Sequence, residues 1–250
     1  MPSFLTKLLS IRFFTLFAIL VLASALRFYN LGITPPSLSW DEASIGYNAY
    51  SITQTSKDEH GRFLPYDYFS AFGDYKPPVA IYLTAISVKL FGLSEWSIRF
   101  PSALLGVLTV LVTYLLIESL RKQFNSKSLT PTFSLLASLM LAISPWHTLL
   151  SRQAFEANVA TFFIVLGVWL FIKGLDRGLY LILGGISLVL SIYTFNSPRV
   201  FIPLLVCGLV IFFFKKIRLQ KKWVIGGLLC SALLLLPLIP HLLSPLGQLR

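Results

Sequence analysis

The chain has 250 residues, of which 56% are hydrophobic and only 12% are charged. A soluble domain carries about twice that charged fraction, so the composition excludes a soluble globular protein. The net charge of +11 could suggest a nucleic-acid-binding protein, but the basic residues cluster between apolar segments. That distribution is typical of a protein oriented in a membrane, and we expect no nucleic-acid partner.

Apolar segments recur along the whole chain, and none alternates as a strand of a membrane barrel would. Backbone groups in lipid must find their hydrogen bonds within the segment, which favours helices. We therefore predict an all-α polytopic membrane protein, a single module over residues 1–250. Its seven spanning helices are expected at about 13–28, 98–118, 129–145, 157–173, 178–195, 200–214 and 223–240. A long outer loop at 29–97 is predicted to hold amphipathic helices at about 42–55 and 77–93.

The side on which each loop lies depends on residues 77–93, which are moderately apolar but begin with two prolines and carry Lys89. If this segment lies at the interface, twelve basic and two acidic residues face the cytoplasm, and nine basic and eight acidic residues face the other side. If it spans, the basic clusters, including residues 215–222, move outside. The positive-inside rule favours the first arrangement, with a cytoplasmic N-terminus. A cleaved signal peptide is the alternative for the first apolar segment.

The acidic pair Asp41-Glu42 lies just past the first apolar segment. Carboxylates beside a bilayer are costly and usually functional, although this pair could also cap a surface helix. Another carboxylate, Glu156, lies in a second short polar segment. The seven-span topology puts these three residues and Arg199 on the non-cytoplasmic side, so we expect them to share one cavity.

Four short motifs occur in a fixed order along the chain. They are WDE at 40–42, KPP at 76–78, RFPSALLG at 99–106, and Ser151-Arg152 followed by Glu156. Together with the hydropathy from about 13 to 200, this order resembles the integral-membrane glycosyltransferases of the GT-C type. The most similar branch is family 39, the dolichyl-phosphate-mannose protein mannosyltransferases and aminoarabinose transferases.

The resemblance implies a GT-C-type helix bundle, a sugar donor carried on a polyprenyl phosphate, and transfer at the extracytoplasmic face. Asp41 matches the family's catalytic acid or base and Glu42 its neighbour, so both are predicted catalytic residues. Lys76 matches a basic residue that meets the donor phosphate, and Glu156 is a second acidic position. Family members are usually longer, so the resemblance also implies an N-terminal fragment without the family's C-terminal half.

The chemistry of glycosyl transfer asks for a base near the acceptor and cations near the departing phosphate. Lys76, Arg152 and Arg199 are the outer cations best placed by loop position to bind that phosphate. Each also has a simpler interpretation. Lys76 could be a snorkelling interface lysine, Arg152 an i, i+4 partner of Glu156, and Arg199 the mark of a helix end.

Asp41 and Glu156 could together hold a divalent cation, because carboxylate oxygens suit Mg²⁺ or Mn²⁺. The branch that the chain resembles most does not depend on a metal, so we predict no cofactor. His147, beside Pro145 and Trp146, is predicted to be an interface residue rather than a ligand.

The predicted function is a membrane glycosyltransferase of a prokaryotic plasma membrane, acting from a polyprenyl-phosphate sugar on a protein, lipid or glycan acceptor. A transporter or flippase for lipid-linked sugars is the alternative. Such a protein should carry ionisable residues within its spans and often shows inverted repeats, whereas the inner spans here lack central charges. A structural subunit would leave the convergence of acidic and basic residues on one face unexplained.

Overall fold

The structure is a computed structural model that describes residues 4–124 and 130–244, and most of these residues are helical. In this part of the chain the α-helices are α1 (Phe4–Phe28), α2 (Trp40–Thr55), α3 (Pro78–Phe91), α4 (Glu95–Gln123), α5 (Pro131–Ile143), α6 (Pro145–Ser151), α7 (Glu156–Gly174), α8 (Leu179–Ile192), α9 (Pro198–Ile217), α10 (Lys221–Leu235) and α11 (Ile239–Leu243). Two short strands, β1 (Phe69–Ala71) and β2 (Asp74–Lys76), form an antiparallel hairpin in the outer loop.

The helices are long and apolar enough for a multi-pass membrane protein. Within the described residues four segments could cross a membrane by length and hydropathy: Ile11–Phe28, Glu95–Gln123, Glu156–Gly174 and Pro198–Leu243. The pair Thr132–Ile143 and Pro145–Ser151, bent by 60°, makes a fifth if it is counted as one span. The all-α polytopic fold class is thereby confirmed.

The number of spans and their limits stay predictions. The segment Pro198–Leu243 has 46 residues, which is about 69 Å of helix, more than twice the roughly 30 Å hydrocarbon core of a bilayer. It contains the spans predicted at 200–214 and 223–240. Residue 129, the start of another predicted span, lies outside the described residues.

Helix α2 begins where its sequence provides a capping box. The backbone N–H of Glu42 donates to the Ser39 hydroxyl over 3.3 Å, and the N–H of Ser39 donates to Glu42 Oε2 over 3.0 Å. These reciprocal bonds satisfy backbone donors that a helix start leaves open. The cap therefore places Asp41 in the first helical turn, at the edge of the outer loop.

The hairpin that ends at Lys76 turns through Phe72 and Gly73. Both residues have positive φ, 52° and 78°, as a two-residue type I′ turn requires. Pairing of Phe69 with Lys76 and of Ala71 with Asp74 fixes the register. Because side chains alternate along a strand, Asp74 and Lys76 project from the same face of β2.

The outer loop and the helix bundle join through α4. This helix packs against α1, α3, α5 and α7, while α2 packs on α3. A cluster of buried side chains connects α2, the hairpin, α3 and α4, with Ile45, Phe69, Ile81 and Ile98 at its centre. The outer loop is therefore folded onto the bundle, and its polar residues are held in fixed positions.

Candidate active site

Lys76 is the centre of the candidate site. Its ammonium nitrogen lies 2.7 Å from Asp41 Oδ1, 3.1 Å from Glu156 Oε1 and 3.6 Å from Asp74 Oδ2. These four residues come from α2, the hairpin and the start of α7, and are separated by up to 115 positions in sequence. The seven-span topology led us to expect Asp41, Glu42, Glu156 and Arg199 in one cavity, and of these Asp41 and Glu156 meet here, together with Lys76.

Each carboxylate in this group reaches the site from a defined backbone position. Asp41 lies in the first turn of α2, and Glu156 is the first residue of α7. Lys76 is the last residue of β2 and directly precedes the two prolines at the start of α3. Two helix starts and one hairpin end thus converge.

The side chains of this group differ from one another in their exposure to solvent. The Lys76 and Glu156 side chains are 5% and 7% exposed, whereas that of Asp41 is 48% exposed. Burial alone would lower the pKa of Lys76, but the charge of Glu156 and the hydrogen bond and charge of Asp41 outweigh it and raise that pKa. Lys76 is therefore a cation at neutral pH, and Asp41 is the carboxylate that a substrate can reach.

A cavity of about 240 Å³ opens beside these residues. Its polar wall is formed by Asp41, Asp74, Lys76 and Glu156. Its apolar wall includes Leu150, Phe155 and Phe195. A small volume lined by both charged and aromatic groups is the kind of site that binds a polar ligand and sets its orientation.

Both carboxylate oxygens of Glu42 accept hydrogen bonds. Arg99 Nε donates to Oε1 over 2.8 Å, the N–H of Ala154 donates to Oε1 over 3.1 Å, and the N–H of Ser39 donates to Oε2 over 3.0 Å. The Glu42 side chain is 2% exposed and that of Arg99 is 0% exposed. This residue joins the start of α2 to α4 and to the segment that leads into α7.

Arg99, the partner of Glu42, also binds the loop after α1. Its guanidinium donates to the carbonyl oxygens of Leu31, Pro35 and Ser37 over 3.1, 2.9 and 2.6 Å. Burial alone would raise the pKa of Glu42, but the hydrogen bonds from Arg99, Ser39 and Ala154 and the Arg99 charge outweigh it, and the pKa is lowered. A buried ion pair with this many hydrogen bonds holds the segment after α1 in place.

The other two predicted phosphate ligands make their contacts elsewhere in the fold. Arg152 donates to the carbonyl oxygens of Leu26 over 2.9 Å and Thr34 over 2.8 Å, which caps the end of α1. Arg199 lies in the first turn of α9, and its buried Nε has no hydrogen-bond partner in the described part of the chain. Neither arginine is among the residues that line the cavity.

The residues present do not fit a divalent cation. Lys76 Nζ lies between Asp41 and Glu156, at 2.7 and 3.1 Å, in the position that a shared metal ion would take. Within residues 4–124 and 130–244 there is no group of three or more His, Cys, Asp or Glu side chains that could hold a metal. The ammonium group supplies the positive charge at this point of the site.

A second polar cluster, behind the site, was not predicted from the sequence. Arg27 is fully buried, and its guanidinium donates to Ala142 O over 3.1 Å and contacts His147 Nδ1 at 2.7 Å. Ser151 and Asn158 continue this network to α4. His147 is thus a buried residue of the helix bundle. The one available signal was an arginine at the end of an apolar helix, which sequence reasoning interprets as a membrane-edge cation.

The helix break before His147 explains why Arg27 is needed there. Pro145 has no N–H, so the carbonyl of Leu141 lacks the donor that a continuous helix would provide. Arg27 Nη2 donates to this carbonyl over 3.4 Å. The arginine therefore satisfies the end of α5 and stabilises the corner through which the chain turns toward Glu156.

Comparison with known proteins places the chain in a family. The sequence profile described as "Dolichyl-phosphate-mannose-protein mannosyltransferase" matches residues 75–243, which is more than half of the chain. This match covers Lys76 and Glu156 and confirms the resemblance inferred from the four motifs.

Two bacterial relatives agree with this match. A Bacillus subtilis (strain 168) protein named "Putative mannosyltransferase YkcB" is 31% identical over 169 residues, 64% of this chain and 20% of the relative. An uncharacterized protein of Aquifex aeolicus (strain VF5) is 30% identical over 162 residues, 64% of this chain and 29% of the relative. The chain therefore spans between a fifth and a third of the length of these relatives.

The fold is also similar to a solved structure. The archaeal oligosaccharyltransferase AglB from Archaeoglobus fulgidus, in complex with an inhibitory peptide and a dolichol-phosphate, aligns over 94% of this chain and 30% of its own. The TM-score is 0.67 and the sequence identity is 18%. At this identity the likeness concerns the fold alone, and it confirms the GT-C-type bundle.

Proposed function

Because the chain belongs to the dolichyl-phosphate-mannose-protein mannosyltransferase family, we propose that it carries the transfer site of a membrane glycosyltransferase. The donor is a sugar on a polyprenyl phosphate, and the acceptor is a hydroxyl or amine of a protein, lipid or glycan. The single observation that supports this proposal most strongly is the Lys76 ammonium group, held between Asp41 and Glu156 on one cavity.

Lys76 is the cation that meets the donor phosphate. An ammonium group can donate three hydrogen bonds, and the short contacts to Asp41 and Glu156 at 2.7 and 3.1 Å account for two of them. The contact to Asp74 Oδ2 is longer, at 3.6 Å, so the third donor can turn to a phosphate oxygen. As the bond between the sugar and the phosphate breaks, negative charge grows on the departing polyprenyl phosphate, and a buried ammonium stabilises that charge.

Asp41 is the general base. One of its oxygens contacts Lys76, and the side chain is 48% exposed toward solvent. Its carboxylate takes the proton of the acceptor hydroxyl or amine as the acceptor atom bonds to the anomeric carbon. The proton is then on Asp41, the sugar is on the acceptor, and the electron pair of the broken bond stays on the phosphate.

Glu156 and Glu42 are positioning residues in this proposal. Glu156 fixes Lys76 from the buried side at 3.1 Å. Glu42 is held by Arg99 and by the N–H of Ala154, so it determines how α2 sits relative to the start of α7. The sequence analysis predicted Glu42 as a catalytic residue. We propose instead that Glu42 positions α2 relative to the start of α7. The assignment of Arg152 and Arg199 to the donor phosphate stays a prediction.

We place the site at the extracytoplasmic end of the bundle, with the N-terminus in the cytoplasm and the protein in a prokaryotic plasma membrane. The distribution of basic residues supports this orientation. All the residues of the site belong to the loops that the seven-span topology assigns to one side. The apolar side chains next to the cavity would face the first carbons of the prenyl chain.

A transfer assay tests the proposed function. The full chain in native membranes is supplied with a radiolabelled polyprenyl-phosphate sugar, and label is followed into protein and lipid fractions. The proposal expects label in one acceptor fraction and its loss in Asp41→Asn. Movement of unmodified donor across the bilayer, without transfer to any acceptor, would instead support the transporter.

A further inference from the structure

A second cavity lies at the opposite end of the bundle from the transfer site. It has a volume of about 330 Å³ and is bounded by the end of α4, the end of α7 and the start of α8. Helix α7 runs from Glu156 at the first site to Lys173 at this one. Seventeen residues of helix rise about 26 Å, close to the roughly 30 Å thickness of the hydrocarbon core.

The lining of this cavity is strongly cationic. Lys122, Lys173 and Arg177 contribute three positive charges, and Asp176 contributes one negative charge. Every acidic residue of the sequence lies within the described ranges. None of their carboxylates lies within 4.0 Å of these three cations. Among the described residues, the lining thus carries two more positive than negative charges, and its cations form no ion pair within 4.0 Å.

One of these cations is held in place by aromatic rings. The Lys173 ammonium lies 4.8 Å from the ring centroid of Trp169 and 4.8 Å from that of Tyr180. Trp169 in turn donates its indole N–H to the Ser119 hydroxyl over 3.2 Å. A cation fixed over two rings loses less freedom when it binds an anion than a free surface lysine does.

We propose that this cavity binds the phosphate headgroup of an anionic phospholipid in the leaflet opposite the transfer site. The cations match a phosphodiester, and basic pockets between helices at a membrane surface are recognised headgroup sites. Leu179, 53% exposed, directly precedes Tyr180, which lines the cavity. A lipid whose phosphate enters the cavity would lay its acyl chains along such apolar side chains, which a soluble anion cannot do.

Lipid titration of the purified full chain in detergent tests this proposal. Native mass spectrometry would follow binding of phosphatidylglycerol, phosphatidylcholine and glycerol 3-phosphate. Phosphatidylglycerol should bind one molecule per chain, at least tenfold more tightly than either comparison compound. Equal affinity for phosphatidylcholine would contradict the proposal that the bound lipid must carry a net negative charge. Equal affinity for glycerol 3-phosphate would show a soluble-anion site and overturn the lipid assignment.

Two matched charge removals locate the site. Lys173→Gln with Arg177→Gln should weaken phosphatidylglycerol binding about tenfold, because each basic residue near the surface contributes a few-fold. Lys221→Gln with Lys222→Gln, which removes two exposed cations of α10, should change the affinity less than twofold. Equal losses in both variants would mean a diffuse charge effect and no defined cavity.

A variant that gains affinity keeps the test informative if the double variant does not fold. Asp176→Asn removes the one carboxylate of the lining from an exposed position. It should strengthen phosphatidylglycerol binding at least twofold, because the phosphate no longer meets a like charge. Unchanged or weaker binding in this variant would contradict a phosphate bound among these residues.

Discussion

Lys76 Nζ donates to Glu156 Oε1 over 3.1 Å, across 80 positions of sequence. The contact joins the end of the hairpin to the start of α7 with both side chains nearly excluded from solvent. A buried ion pair contributes little net stability, but the loss of one partner leaves an uncompensated charge and is costly. This asymmetry separates the structural role of Lys76 from its proposed role toward the donor.

Replacing Lys76 alone should therefore affect both folding and binding. Lys76→Gln leaves Glu156 buried without its cation and should lower the free energy of unfolding by about 3–5 kcal/mol. In Lys76→Gln with Glu156→Gln, the thermal midpoint in detergent should recover most of this loss, whereas affinity for a polyprenyl phosphate should remain at least tenfold weaker. Lys89→Gln, an exposed lysine of α3, is the control. Recovery of donor affinity in the double variant would remove Lys76 from the phosphate site.

The buried pair of Glu42 and Arg99 should matter for stability. Arg99→Met removes the partner of Glu42 and three hydrogen bonds to the loop after α1. The expected cost is about 3–5 kcal/mol. Arg121→Met, which removes a more exposed pair with Glu118, should cost about 0–1 kcal/mol. Similar thermal midpoints for the two variants would show that the Glu42–Arg99 pair is not needed to hold α2 in place.

The same pair predicts how stability responds to acid. The pKa of Glu42 is lower in the folded protein than in the unfolded chain, mainly because hydrogen bonds to the carboxylate outweigh its burial. The stabilisation of the folded protein by ionised Glu42 is complete above the unfolded pKa of about 4.3. It is lost as the pH falls through the lower pKa of the folded protein.

Thermal midpoints between pH 7 and pH 3 would measure this dependence. The wild-type chain should lose more stability below about pH 4 than Glu42→Gln, which has no carboxylate to protonate. Parallel curves for the two chains would mean that the folded and unfolded pKa values of Glu42 are the same.

Gly106 should be intolerant of any side chain. A Cβ there would collide with the hydroxyl and Cβ of Ser151 and would lie 3.2 Å from Arg27 Nε. Gly106→Ala should displace α6 from α4 and destabilise the chain by about 1–3 kcal/mol. Gly208→Ala is the matched control, because nothing lies within 4 Å of a Cβ at that helical glycine. An equal, small effect at both positions would show that α4 and α6 are packed less closely than the distances at Gly106 require.

The fold class and part of the candidate site could be predicted from the sequence. Apolar segments and the sidedness of basic clusters predicted a helical membrane protein. The seven-span topology then predicted that Asp41, Glu42, Glu156 and Arg199 share one cavity. The structure brings Asp41 and Glu156 together with Lys76, whereas Glu42 and Arg199 do not line that cavity. The short hairpin that delivers Lys76 was not predicted, because three-residue strands carry no period to detect.

The partners of the arginines could not be predicted in the same way. Arg152 is four positions from Glu156, and that spacing suggested a helical ion pair. Its guanidinium instead donates to Leu26 O, 126 positions away. Arg27 donates to the carbonyl of Leu141, which loses its helical donor at Pro145, more than a hundred positions later. Backbone carbonyls have no sequence signature, so contacts of this kind become visible only once the helices are packed.

The transfer rate of Asp41→Asn measures the central claim most directly. The variant keeps the shape of the side chain but cannot accept a proton from the acceptor, so transfer from a labelled polyprenyl-phosphate sugar should fall by about 10²–10⁴-fold. Its expression, thermal midpoint and donor affinity should stay close to those of the wild type. Transfer at the wild-type rate in this variant, or no transfer by the unmodified chain, would contradict the account.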